Sequence, residues 1–306
     1  MQLLSKRCLV ILLLIILTSC WLSGCISKST STSQHVVKDN RQFTIVTSFY
    51  PMYIMTLNIV KDIPDVKVIN LASPQTGCLH DYQLSPEDVK NLETADIFIV
   101  NGAGMESFMD KVAQQQPDLK TINASHGIPL IKGSGNQEDN PHVWVSIEYA
   151  IQEVKNIGKQ LSILDPDHSK QYQTNTAIYA TKLENLRNMM HQELDGISNP
   201  NIVTFHEAFP YFAQEFKLNI VAVVEREPGS EPSASELADI IDKVRTSHAQ
   251  AVFAEPQYST GAAQTIARET GIKVYTLDPA VSGPNSPDAY INIMKANLES
   301  LKEALK

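Results

Sequence analysis

From Asp167 to Asp195 the chain runs without a proline or a glycine. Its apolar positions fall in two interleaved sevens, Tyr172, Tyr179 and Leu186 with Leu183, Met190 and Ile197. One narrow stripe of this kind specifies a single long helix. At about 1.5 Å per residue it would reach roughly 43 Å, enough to span two domains. A coiled-coil dimer is the rival reading, but the stripe is short for one. The segment therefore reads as a stiff strut in a monomer.

On each side of this helix, short β-branched runs alternate with helical patterns. Before it come Phe43-Thr44-Ile45-Val46, Val66-Lys67-Val68-Ile69, Ile97-Phe98-Ile99-Val100 and Lys120-Thr121-Ile122. After it come Ile202-Val203-Thr204-Phe205, Ile220-Val221-Ala222-Val223, Ala251-Val252-Phe253 and Val274-Tyr275-Thr276-Leu277. Strands interleaved with helices imply parallel sheets built from βα units. The expectation is an α/β protein of two lobes, each a four-stranded parallel sheet flanked by helices, joined by one long rigid helix. Helix boundaries carry their own signals. Ser85-Pro86-Glu87-Asp88 and Ser233 with Glu236 have capping-box spacing, and Gly271 stands where a helix begun near Thr260 needs a left-handed end. A further amphipathic helix over Ile147, Ala150, Ile151, Val154 and Leu161 is stopped near Asp165-Pro166.

The N-terminus has a different logic. Lys6 and Arg7 precede the aliphatic run Cys8–Leu17, and Leu22-Ser23-Gly24-Cys25 follows. A charged start, a short apolar stretch and small residues before a cysteine resemble a bacterial lipoprotein signal. Residues 1–24 are then a signal peptide and Cys25 is the lipidated first residue of the mature chain, with Cys20 the alternative site. Residues 25–40, rich in Ser, Thr and Lys, read as a flexible tether. The folded part divides into an N-terminal lobe at 41–165, a linker helix at 166–197 and a C-terminal lobe at 198–306.

The formal charge is −9, and it becomes more negative once Lys6 and Arg7 are removed. That balance argues against nucleic acid as a partner. Neither H-E-x-x-H nor G-x-S-x-G occurs, so the common zinc-protease and hydrolase arrangements have no counterpart here. No enzymatic activity is expected.

The chemistry lies in the histidines. Of eight, His35, His168, His191 and His248 sit in positions for which surface roles suffice, and His126, after the fourth strand, can be read either way. His80 follows the second strand, His206 ends the fifth, Asp278 ends the eighth, and His142 lies in Asp139-Asn140-Pro141-His142 before a helix. Ligands of open parallel sheets collect at the carboxyl ends of strands. Imidazole nitrogens with one carboxylate suit Zn²⁺ well and Mn²⁺ tolerably.

Several segments then carry a specific resemblance: Thr47-Ser48-Phe49-Tyr50-Pro51, Gly77 to Pro86, Asn101-Gly102-Ala103-Gly104-Met105-Glu106, Asn140 to Trp144, Thr204 to Phe212, Glu227 to Pro232, and Ala254-Glu255-Pro256-Gln257. In this order they resemble the zinc/manganese branch of substrate-binding lipoproteins of ABC transporters. The resemblance implies metal ligands at His80, His142, His206 and Asp278. It also implies partnership with a permease and its ATPase subunit, and a site on the extracytoplasmic face of a bacterial membrane. Glu207 and Glu255 are expected behind the histidines, orienting their rings. The stretch Gly133–Asn140 lacks histidine, unlike the long His-rich loop of many zinc-specific relatives. Manganese-type relatives usually carry glutamate where His206 stands, so Zn²⁺ is the expected cargo and Mn²⁺ the alternative. Cys78 reads as a small buried residue, with a thiolate donor the second reading. A zinc-dependent hydrolase with an open coordination position and a surface adhesin are the rival functions.

Overall fold

The central strands of both halves are apolar at every position, Ile97-Phe98-Ile99-Val100 and Ala251-Val252-Phe253-Ala254, and all eight residues are buried. Strands covered on both faces have no solvent side on which to place polar residues. The computed structural model, which describes residues 41–73, 78–79, 82–133, 138–224, 232–257 and 259–306, builds each half around such a strand. The first sheet comprises β1 (Phe43–Thr47), β2 (Val66–Asn70), β3 (Ile97–Val100) and β4 (Lys120–Asn123). Its order is β2-β1-β3-β4, parallel throughout. The second comprises β5 (Asn201–Thr204), β6 (Asn219–Val223), β7 (Ala251–Ala254) and β8 (Lys273–Thr276), in the equivalent order β6-β5-β7-β8. The outer strands β2, β4 and β8 each expose a lysine, Lys67, Lys120 or Lys273. Charge on an outer strand discourages edge-to-edge pairing with another chain.

Crossovers run through helices. In the first half these are α1 (Tyr50–Ile59), α2 (Pro86–Glu93) and α3 (Met109–Gln115). The middle of the chain forms α4 (Ile147–Leu164) and α5 (Ser169–Leu194). The second half adds α6 (Pro210–Phe216), α7 (Ala234–Ser247), α8 (Gly261–Thr270) and α9 (Ala289–Leu305). Both expected capping boxes form: Ser85 accepts from the Asp88 amide while Asp88 accepts from that of Ser85, and Ser233 pairs likewise with Glu236. Gly271 ends α8 at φ +80°.

The long helix departs from the expectation in two ways. Its first residues, Pro166–His168, form a 3₁₀ turn, and the α-helix begins only at Ser169. The cause is local. The Asp165 carboxylate accepts from Tyr172 Oη and contacts His168 Nδ1, both at 2.7 Å, which closes a tight turn between α4 and α5. At 26 residues α5 is about 39 Å long. Nor does it stand alone as a strut. Tyr172, Tyr179, Leu183, Leu186, Met190 and Leu194 are all buried, packed chiefly on α4 and also on α1 and α9. The helices approach closely at Gly158, where a Cβ would lie 1.9 Å from Thr176 Oγ1.

The two sheets lie on either side of α5 in sequence, yet the core does not divide there. One continuous apolar cluster contains Ile45 and Phe98 of the first half, the α5 stripe, and Ile202, Phe253 and Leu301 of the second. A smaller cluster around Val203, Phe205, Ile240, Val252 and Ile266 fills the outer side of the second sheet. Residues 41–306 accordingly form one compact unit. Among the described residues no helix is long and apolar enough to cross a membrane. The expected signal peptide, tether and lipidated Cys25 lie outside the described residues.

Candidate metal centre

In a parallel sheet of order 2-1-3-4 the connections step outward in opposite directions from the two middle strands, and the crevice beyond their carboxyl ends is the natural ligand position. Here those middle strands are β1 and β3 in one sheet, β5 and β7 in the other. Beyond β5 comes His206, and immediately beyond β7 comes Glu255. Both are almost fully buried, and His206 Nδ1 lies 3.6 Å from Glu255 Oε1. That is an electrostatic rather than a full hydrogen-bonding distance. Burial pushes the Glu255 carboxyl up from its ordinary value, and His206 pulls it back.

His142 arrives from the first half, just before α4. It is 2 % exposed, and its ring meets that of His206 edge-on with centroids 4.9 Å apart. Asn140 sets its orientation. The Asn140 side-chain oxygen accepts from the His142 backbone amide at 3.0 Å and contacts Nδ1 of the same residue at 3.1 Å. A backbone amide can only donate, so the Asn140 atom is the acceptor oxygen, and Nδ1 must carry the ring hydrogen. Nε2 is then left with the lone pair, the state a metal needs.

The hook bearing His142 is held from both halves. Asn101, at the end of β3, donates to the Pro141 carbonyl at 3.0 Å. Tyr211 of α6 donates to the Asn140 carbonyl at 2.6 Å. Asn101 is itself fixed by Glu106, which accepts from the Asn101 and Gly102 amides and from Ser48 Oγ beyond β1. The motif Asn101–Glu106 is thus a brace for the His142 hook. Burial pushes Glu106 up to about 7 despite these donors.

His80 lies outside the described residues. Its neighbour Leu79 is fully buried, and two positions beyond it Tyr82 donates to Asp88 Oδ2 at 2.8 Å. Asp278 is half-buried beyond β8. One of its carboxylate oxygens accepts from the Ala280 amide at 2.8 Å and from Gln257 at 3.3 Å, while Asn297 ties its backbone on both sides. Burial raises its carboxyl, and its charge in turn raises that of Glu255. Glu207 is exposed; what it contributes nearby is its carbonyl, which accepts from Asn140. The position behind His142 is occupied by the Asn140 amide rather than by a carboxylate.

Among the described residues, one group brings metal-type donors together: the ligating atoms of Cys78, His142 and His206 all lie within 4.8 Å of one another. Donors around a tetrahedral zinc, at about 2.0–2.3 Å from the ion, stand about 3.3–3.8 Å apart. The group needs little contraction to close on an ion. Asp278 is not a member of it. The signal for Asn140 was its position two residues before a histidine, where a short amide folds back on the backbone. That for Cys78 was its spacing of two from His80, which in extended chain puts both on one side.

Two parallel α/β lobes on a shared core, with imidazoles from each meeting at the strand ends, define a two-lobed solute-binding protein. A family model described as zinc-uptake complex component A, periplasmic, matches residues 45–304. The high-affinity zinc uptake system protein ZnuA of Bacillus subtilis strain 168 is 31% identical over 312 residues, covering 95% of this chain and 97% of that protein. A crystal structure of ZnuA aligns at a TM-score of 0.77 and 29% identity, over 86% of this chain and 99% of that one. FpvC from Pseudomonas aeruginosa, in complex with Mn²⁺, aligns at 0.78 and 30% identity, over 87% and 99%. The chain belongs to the zinc-uptake complex component A family, whose members are metal-binding components of uptake systems and not enzymes.

Proposed function

We propose that this protein captures Zn²⁺ outside the cytoplasm, between His80, His142, His206 and Asp278, and delivers it to the permease of an ABC importer powered by an ATPase subunit. The observation that carries the reading is the buried His142–His206 pair, one ring from each half, with Asn140 behind one and Glu255 behind the other. A carboxylate or amide behind each imidazole is how metal-binding histidines are usually oriented. Because the donors come from both halves, the ion favours whichever arrangement brings them together. A nitrogen-rich donor set favours Zn²⁺ over Mn²⁺ in intrinsic affinity. Mn²⁺ in the FpvC complex keeps manganese as the alternative cargo.

The test is competition between Zn²⁺ and Mn²⁺ for the wild type, His206→Ala and His206→Glu. Wild type should prefer Zn²⁺ strongly, the alanine variant should lose most of its affinity, and the glutamate variant should narrow the preference. Undiminished Zn²⁺ binding by His206→Ala would remove the site assignment. The same reading holds the mature protein to the membrane through lipid on Cys25. Mass spectrometry finding the diacylglyceryl group on Cys20 would move that anchor.

A further inference from the structure

We propose that Cys78 coordinates the captured ion directly through its sulfur, giving the site a mixed nitrogen–sulfur character that selects thiophilic divalent ions. The inference rests on the metal-binding reading above and adds to it the donor that sets specificity.

The geometry is the argument. Cys78 is half-buried beyond β2, and its sulfur falls in the same group of ligating atoms as His142 and His206, all within 4.8 Å of one another. That group draws on three strand-end regions: the segments after β2 and β5, and the hook after β4. No single turn of chain would gather them by chance of sequence proximity. The residue following the cysteine, Leu79, is fully buried, which anchors this segment to the core. The expected carboxylate donor, by contrast, already accepts from Ala280 and Gln257 through one oxygen and stands outside the group. Among the described residues, the Cys78 sulfur is the donor grouped with both imidazoles.

The chemistry follows from the donor type. On binding, the thiol proton passes to solvent and a sulfur lone pair forms the bond to the metal, with no change of oxidation state. Thiolate is a soft ligand, favouring Zn²⁺ and its heavier congener Cd²⁺ over Mn²⁺, which is served best by oxygen. Cys78 would thus supply discrimination that the missing histidine-rich loop does not.

Cobalt reports on this directly, because thiolate bound to Co²⁺ gives a sulfur-to-metal charge-transfer band in the near ultraviolet, whereas imidazole and carboxylate do not. The full chain, wild type and with Cys78→Ser or His206→Ala, would be titrated with Co²⁺ alone. Zn²⁺/Mn²⁺ competition would follow on each. Wild type should bind one Co²⁺ with the charge-transfer band. Cys78→Ser should keep visible d–d absorption from the histidine site, lose the band, and lower the Zn²⁺/Mn²⁺ preference by about tenfold or more. A band that persists in Cys78→Ser, or wild-type Co²⁺ binding without one, overturns the role of Cys78 while leaving the histidine site intact. Co²⁺ binding by His206→Ala indistinguishable from wild type overturns the site itself.

Discussion

Asn140 Oδ1 lies 3.0 Å from the backbone nitrogen of His142 and 3.1 Å from its Nδ1, so one side-chain oxygen fixes both the turn and the tautomer of the histidine that follows it. This makes a residue with no metal contact of its own decisive for the presentation of Nε2. Asn140→Ala should leave the fold in place and lower Zn²⁺ affinity about 10–100-fold, the usual cost of removing a partner behind a metal-binding histidine. Competition titration against a chelator of known affinity would measure it. Unchanged affinity would show that the ring is held by its packing on Trp144 and His206 alone.

Glu153 presents the opposite case, a carboxylate with no function in the site. It sits fully buried on α4, and neither of its carboxylate oxygens has a hydrogen-bond partner among the described residues. Burial, reinforced by Glu106, holds its carboxyl well above the ordinary value of 4.5. The folded state therefore keeps a proton that the unfolded chain releases near that value. Its contribution is fully present at acid pH and is lost as pH rises from about 4.5 toward the raised folded value, at up to about 1.4 kcal/mol per pH unit. Glu153→Gln removes this loss. The variant should gain stability relative to wild type as pH rises, with the difference larger at pH 8 than at pH 5. Denaturant unfolding at several pH values would decide, and a constant difference across that range would contradict the account.

Gly158 tests the packing of α4 on α5. Alanine in a helix interior normally gains up to about 1 kcal/mol over glycine. Here the new Cβ would meet Thr176 Oγ1 at 1.9 Å, and overpacking of that kind costs about 1–3 kcal/mol. Gly158→Ala should therefore be net destabilising, by about 1–2 kcal/mol. Adding Thr176→Ala should recover most of the loss. If the single variant is stabilised instead, the helices have room that the geometry denies them.

Much of this architecture was legible in the chain before folding. The central strands announce themselves because runs such as Ile97–Val100 have no polar face to offer, the outer ones through short β-branched runs between turn residues, and both capping boxes form where Ser85 and Ser233 place them. His142 and His206 could be singled out because each stands next to a strand or helix boundary. The stripe on α5 was equally clear, but its partner was not: periodicity shows that a face is buried and is silent on what buries it. The same limit hid Asn140 and left Cys78 with two readings, a small buried residue or a thiolate donor. Their roles depend on an oxygen and a sulfur reaching atoms brought close by tertiary folding, and spacing alone does not report distance. Glu207 was misleading for the reverse reason, since it stands next to His206 in sequence yet lies exposed in the turn beyond β5.

The continuous core has a consequence for how the molecule can be divided. Ile45, the α5 stripe and Phe253 belong to one apolar cluster, so a cut through α5 would strip hydrophobic cover from both fragments at once. Neither half is then an autonomous module that could be exchanged, duplicated or secreted by itself. Inheritance and engineering alike must treat residues 41–306 as a single unit of selection, in which damage near one sheet is paid for at the other.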